Sequence, residues 1–495
     1  MNNQLPALGE PLPASTHAVS VSLPKWADVV GYETSDPRVI NAMKTGYPRF
    51  VYNAITKKLF AEAEKKFARA DEFCLTFPSE QIAKLCVSYS LGQWNRLNKS
   101  LSNQDLRINR FSDKIWAVTF PNSFQQIAKS FWQHAGFITS SRLAEATLEN
   151  KTEDQNGTKA KEKVKAQLSK LTGEKAENIY LYPSGMAAIF SAYQITTRSD
   201  PSSLTSPACS TAQLGFPYVD TLKIQEKFGS ESIFLPYKSP DDLDRLEKEI
   251  KEKKIGAVFT EFPCNPLITC ADLKKLSSIC RKYEAALVVD DTLSSWANVD
   301  LSPYVDITVT SLTKFFSGIG DVLAGSLILN SKSPLFDKLK NRLEKSYEDL
   351  LYGDDAVVLE TNGRDFKKRI EQINKTAESL YTWLKAKLPR SQILYTKDNP
   401  LYEKYKTGGY GGIISIVLPT EAEAIKFFDN LQVNKGPSLG TNYTLACPYT
   451  LLAHYHEREF AEKSGVPFHL IRVSIGLEDI ESLKATFASA LDPSS

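Results

Sequence analysis

Between about Glu177 and Asn330, short apolar runs alternate with amphipathic ones: NIYLY, GMAAIFSAYQ, IGAVFTE, ADLKKLSSICRKYEA, ALVVDD, DITVTS and SLILN. Runs this short and uniformly apolar suit strands buried on both faces, and the helical stretches between them are the crossovers that parallel strands require. An α/β fold follows, with a mostly parallel central sheet flanked by helices. Ligands in such sheets bind beyond the carboxyl ends of the strands, so the residues that end each strand are where chemistry is sought.

A chain of 495 residues exceeds one ordinary hydrophobic core. Its texture divides it into a leader at 1–18, a helical, aromatic-rich extension at 19–133, a large ligand-binding domain at 134–335 and a smaller α+β domain at 336–495. In the extension, AITKKLFAEAEKKFARA (Ala54 to Ala70) places apolar residues at helical spacing with charges between them. A formal net charge of +2 gives no electrostatic reason to expect nucleic acid or a membrane surface. No run approaches the roughly 20 apolar residues of a membrane span. Seven cysteines without a C-x-x-C pair signal neither a disulfide framework nor a zinc site, and no metal is expected. Cysteine usage and a start lacking basic and apolar signal regions suit a cytoplasmic protein with a small-molecule partner.

Four strand ends carry the chemistry. After NIYLY, Ser184, Gly185 and Met186 open a helix whose free N–H groups and positive end favour an anion such as phosphate. Glu261 and Asn265 follow GAVFT, and Asp290, Asp291 and Thr292 follow ALVV. SLTK, ending at Lys314, follows DITVT. An acid ending a buried strand is costly when ionised and unpaired. Lys314 poses the converse problem, because Ser311, Thr313, Ser317 and Gly318 are too small to cover a hydrated ammonium. Singly, these features read as plain structure: a capped turn, a salt bridge, a snorkelling lysine. Together they suit pyridoxal phosphate, whose phosphate takes N–H and O–H donors, whose ring nitrogen takes a carboxylate and whose aldehyde takes an amine. Lys314 would then be the Schiff-base lysine.

YPSGMAAI, EFPCNPL, LVVDDTLSS, SLTKFFSGIGDVLAG and LIRVSIGLEDIESLKATFASAL stand in the order of the signatures of the Cys/Met-metabolism family of pyridoxal-phosphate enzymes. The chain resembles that family from about Arg142 to Leu491, and its front section, with HAVSVSLPKWADVVGYE and GYPRF, is similar to that of the family's fungal cystathionine gamma-synthase branch. The resemblance implies a fold-type I pyridoxal-phosphate-dependent transferase. By position, Lys314 would hold the cofactor's aldehyde and Asp290 its pyridine nitrogen. Ser184, Gly185, Met186, Ser311 and Thr313 would cradle the phosphate, and Asn265 would lie near the phenolic oxygen. Arg472 would grip the substrate's α-carboxylate, helped by Ser438. The resemblance also implies a homodimer or homotetramer, with cysteine displacing the acyl group of an O-acylhomoserine. Sulfide-using sulfhydrylases and cystathionine lyases would share these residues, as would a regulatory paralogue that has lost the cofactor.

Two departures from the family pattern stand out. Where the family's Tyr-x-Arg segment reaches the phosphate from a neighbouring subunit, TSSRLAE keeps Arg142 but has Ser140 at the tyrosine. Yet GYPRF contains Tyr47-x-Arg49, and CLTFPSEQIA beyond it echoes YLYPSGMAAI as a degenerate partial repeat. Tyr47 and Arg49 are therefore rivals to Arg142, and the sequence leaves the choice open. The family's ring-stacking tyrosine should fall within AQLGFPYVDTLKI, where Leu214 takes the literal position and only Phe216 and Tyr218 are aromatic.

Overall fold

The computed structural model describes residues 5–97 and 106–491; the first four residues of the expected leader lie outside them. The large sheet has seven strands, in the spatial order Ile179–Tyr182, Gly325–Leu329, Ile307–Thr310, Ala286–Asp290, Ala257–Glu261, Thr211–Leu214 and Ser232–Leu235. All run the same way except Gly325–Leu329, which is antiparallel to both neighbours. Their uniform apolarity has the expected cause, since both faces are covered and strands such as Ala257–Glu261 and Gly325–Leu329 are buried throughout. The chain is an α/β protein with a mostly parallel central sheet.

A separate five-stranded sheet follows, in the order Gln392–Leu394, Ile413–Val417, Ile471–Ser474, Leu445–Pro448 and Asn434–Lys435. Helices Phe366–Lys387, Glu421–Asn430 and Ile480–Leu491 pack their apolar sides against it through Leu380, Phe427 and Phe487.

The front section is mixed rather than helical. Beside helices Ala54–Phe67, Glu80–Arg96 and Gln125–Ala135 it holds a three-stranded antiparallel sheet, with Ile115–Pro121 between Glu72–Phe77 and Arg107–Ser112. IWAVTFP is rich in β-branched and aromatic residues, which suit a half-buried pleated surface, and that local preference outweighs the helical texture around it. Nor is this section a tethered module. Phe77, Phe131 and Trp132 share one core with Phe190, Phe259 and Leu327 of the large domain. Trp26 and Val29 of helix Trp26–Glu33 belong to the core of the small domain, where Trp26 meets Phe428 edge-on at 6.1 Å. The section thus roofs the junction of the two sheets.

Candidate active site

The carboxyl ends of Ala257–Glu261, Ala286–Asp290 and Ile307–Thr310 meet helix Gly185–Thr197, strand Ile471–Ser474 and the front section around a cavity of about 440 Å³. That is the size of a small-ligand site. Lys314, Asp290, Gly185, Met186, Ser311, Asn265, Ser438 and Arg472 all line it.

Lys314 has its Nζ 2.7 Å from Ser438 Oγ and 4.6 Å from the centre of the Tyr47 ring. Burial, with Arg472 and Arg49 nearby, brings its amine well below the ordinary lysine value, so a neutral nucleophile is at hand. Ser438 sits at φ 101°, a left-handed backbone that a non-glycine residue rarely adopts. In that pose its carbonyl accepts from Arg472 Nη2 at 2.7 Å while its hydroxyl faces Lys314. Arg472 also donates to Asn265 Oδ1 at 3.1 Å and lies 4.7 Å over the Tyr449 ring. These contacts fix the plane of a guanidinium that is only 5% exposed.

Asp290 accepts from the Thr292 N–H at 2.9 Å and stands beside Glu261, its register partner on the adjacent parallel strand. Glu261 accepts from Tyr218 N at 2.5 Å and Asn265 N at 3.0 Å. Burial raises both carboxyls, and Asp290 adds to the shift that takes Glu261 to about 8. Two neighbouring acids with no side-chain cation hydrogen-bonded to them among the described residues form a place where a protonated nitrogen is welcome. Asp291 points to the other face, where Thr310 donates to it. Gly185 is required at the helix start, because a Cβ there would come within 2.8 Å of Ser311 Cβ. Its absence lets the helix N-terminus close on the end of the neighbouring strand.

Two sequence expectations need correction. The Ser184 hydroxyl does not face the cavity: it caps the helix by accepting from Ala187 N and donates to Gly136 O. Thr313 turns its hydroxyl to the Ala324 backbone. Arg142, which the resemblance sets against a neighbouring subunit's phosphate, is held by Asp355 Oδ1 at 3.0 Å and Asp321 O at 2.8 Å in a hollow apart from its own chain's Lys314 cavity. Tyr47 and Arg49 line that cavity. Of the two aromatics weighed for ring stacking, Tyr218 lines the cavity, whereas Phe216 packs against Phe234, His454 and Phe460. Sequence reasoning missed Tyr449, since nothing local in CPYT says that the strand just before it, Leu445–Pro448, will lie beside that of Arg472.

Residues 127–492 match the family described as Cys/Met metabolism PLP-dependent enzyme, and residues 55–140 match the fungal trans-sulfuration enzyme N-terminal domain. The chain belongs to this pyridoxal-phosphate-dependent Cys/Met metabolism family. It is 33% identical to a cystathionine gamma-synthase of Neurospora crassa, with 98% of each chain covered, and 32% identical to one of Saccharomyces cerevisiae, again over 98% of each. In fold it resembles a putative O-acetylhomoserine (thiol)-lyase of Campylobacter jejuni whose structure carries a pyridoxyl-lysine phosphate. That likeness has a TM-score of 0.59 at 23% identity and covers 67% of this chain and 86% of the other.

The protein is thus a pyridoxal-phosphate-dependent enzyme, and the cavity's donor set fits the group. Lys314 would offer an amine to the aldehyde, Asp290 an acid to the pyridine nitrogen, and the Gly185 and Met186 N–H groups with Ser311 would offer donors to the phosphate. The depressed Lys314 value has a measurable consequence. Imine formation needs the neutral amine, so cofactor uptake by the cofactor-free protein should hold its rate far below the ordinary lysine value of 10.5. Stopped-flow absorbance across pH checks this, and a rate falling tenfold per pH unit from pH 10 downward would contradict it.

A buried ion network backs the site. Asp220 accepts from Arg49, from His134 Nδ1 at 2.9 Å and from Gln133 Nε2 at 3.2 Å. Burial alone would raise this carboxyl, but Arg49 and His134 outweigh it and hold the acid far below the ordinary range. Stabilisation from Asp220 is therefore complete above its unfolded value near 3.8 and is lost only as pH falls through the lower folded value. Asp220→Ala strands the Arg49 charge and should cost about 3–5 kcal/mol in denaturant titration at neutral pH.

Proposed function

We propose that the enzyme catalyses γ-replacement, exchanging the acyloxy group on Cγ of an O-acylhomoserine for the thiol sulfur of L-cysteine to give cystathionine. The observation that carries this reading is likeness across 98% of the chain, front section included, to two fungal proteins named cystathionine gamma-synthase. The front section matters because it contributes Glu33, Tyr47 and Arg49 to the cavity wall, so it bears on which substrates fit.

Bound pyridoxal phosphate supplies an electron sink that acidifies the substrate's Cα proton. The chain's own residues do the rest. Arg472, its plane set by Asn265, Ser438 O and Tyr449, holds the α-carboxylate and so fixes which substrate bond faces the cofactor ring. Lys314 Nζ, steadied by Ser438 Oγ, takes the Cα proton and serves again at Cβ, after which the γ-acyloxy group departs as a carboxylate. Asp290 keeps the pyridine nitrogen protonated. Attack of the cysteine thiolate at Cγ and return of protons to Cβ and Cα complete the exchange.

Purified enzyme with O-acetylhomoserine and either cysteine or sulfide tests the reading by mass-resolved product analysis. Cystathionine from cysteine, formed faster than homocysteine from sulfide, is the expected result. Preferential use of sulfide, or cleavage of added cystathionine as the main activity, would replace it with a sulfhydrylase or lyase.

A further inference from the structure

The front section repeats, in worn form, the part of the large domain that holds the anion site. Helix Ala54–Phe67, strand Glu72–Phe77, Pro78, Ser79 and helix Glu80–Arg96 run in the order of helix Gly157–Thr172, strand Ile179–Tyr182, Pro183, Ser184 and helix Gly185–Thr197. Both serines cap in the same way, accepting from Ile82 N and Ala187 N at 3.1 Å. Ahead of each unit lies an arginine close to a helix start, Arg49 in one and Arg142 in the other. The copies have since diverged in what they can bind. At the front copy's helix start Ser79 Oγ donates to the carboxylate of Glu348 at 2.7 Å, so an internal anion already stands where a ligand anion would go. Arg142 is likewise committed, to Asp355 and the Asp321 carbonyl.

The rear copy's helix start is open to the cavity, and the front section's Tyr47 and Arg49 line that cavity with Gly185, Met186, Ser311 and Lys314. Arg49 is 1% exposed, its Nη atoms bonded to Asp220, Gln133 O and Tyr218 Oη. Its Nε–H has no hydrogen-bond partner among the described residues. A buried donor left unpaired is costly, and an anion held at the neighbouring helix start offers it an acceptor. We propose that Tyr47 and Arg49 complete the phosphate cup from within the same chain, so that one chain holds a whole cofactor site and its front section stands where a second subunit would. This rests on the cofactor, not on which amino acids are exchanged.

Cofactor affinity, read by absorbance and fluorescence titration of the full chain, provides the test. Arg49→Gln/Asp220→Asn, which removes the buried charge pair together, and Tyr47→Ala, which leaves that pair intact, should each weaken pyridoxal phosphate binding by about tenfold or more. Arg142→Gln should leave it unchanged. Co-expression of differently tagged Lys314→Ala and Arg49→Gln/Asp220→Asn chains then decides where the site is made. In a one-chain site, the Lys314-bearing chains stay weak binders, and borohydride traps no more pyridoxyl-lysine on them than when they are expressed alone. Tight binding regained on those chains would overturn the proposal, as would wild-type affinity in the folded Tyr47 and Arg49 variants. Failure on these counts leaves wild-type cofactor binding and turnover, and thus the proposed reaction, untouched.

Discussion

Lys314→Ala should lower turnover by about 10³-fold or more, because it removes both the amine that anchors the cofactor and the base that moves protons at Cα and Cβ. The chain should remain folded. Burial, with Arg472 and Arg49 nearby, holds the Lys314 amine well below the ordinary lysine value, so deleting it removes the cost of deprotonating it on folding and leaves thermal stability equal or slightly higher. Borohydride treatment should fix no pyridoxyl group on the peptide around position 314, and a small primary amine added to the variant should restore a measurable fraction of the rate. Lys314→Arg should fail like alanine, since a guanidinium does not give up its proton at working pH. Retention of more than a few per cent of wild-type turnover by Lys314→Ala would remove this lysine from the chemistry.

Arg472→Lys carries the second-largest expected effect. The guanidinium can face a carboxylate with two parallel donors because Asn265, Ser438 O and Tyr449 hold its plane, and an ammonium reproduces none of that geometry. Truncating a buried charge-assisted contact of this kind costs about 3–4 kcal/mol, or about 10²- to 10³-fold in kcat/KM for the homoserine ester. Most of the loss should fall on KM, with kcat reduced less and cofactor affinity retained. An unchanged KM would mean that the substrate carboxylate is held elsewhere.

How much of this was legible in the sequence varies with the range of the forces involved. The parallel sheet could be read from NIYLY, ALVVDD and DITVTS because burial on both faces demands uniformly apolar strands, a local signature. Asp290 and Lys314 stood out because a charge at the end of such a strand is costly without a partner. Ser184 and Thr313 misled for the opposite reason. A hydroxyl beside a helix start or a strand end can serve backbone as readily as ligand, and both serve backbone here. The front section's strands were hidden by helical neighbours, since Glu72–Phe77 and Ile115–Pro121 are stabilised by pairing with each other across the chain rather than by a pattern within either.

By itself, then, the sequence determined the α/β architecture and the amine, acid and helix start that pyridoxal phosphate needs, because each answers to burial and chain direction over a few residues. Only the tertiary structure brought Arg49, and not Arg142, to the Lys314 cavity of the same chain, because the two differ in what surrounds them. Asp355 and the Asp321 carbonyl hold one away, while the core shared by Trp132 and Phe190 helps fasten the other's section against the cavity beside Lys314. Which arginine lines its own chain's cavity depends on the packing of segments far apart in the chain, and no local spacing encodes it.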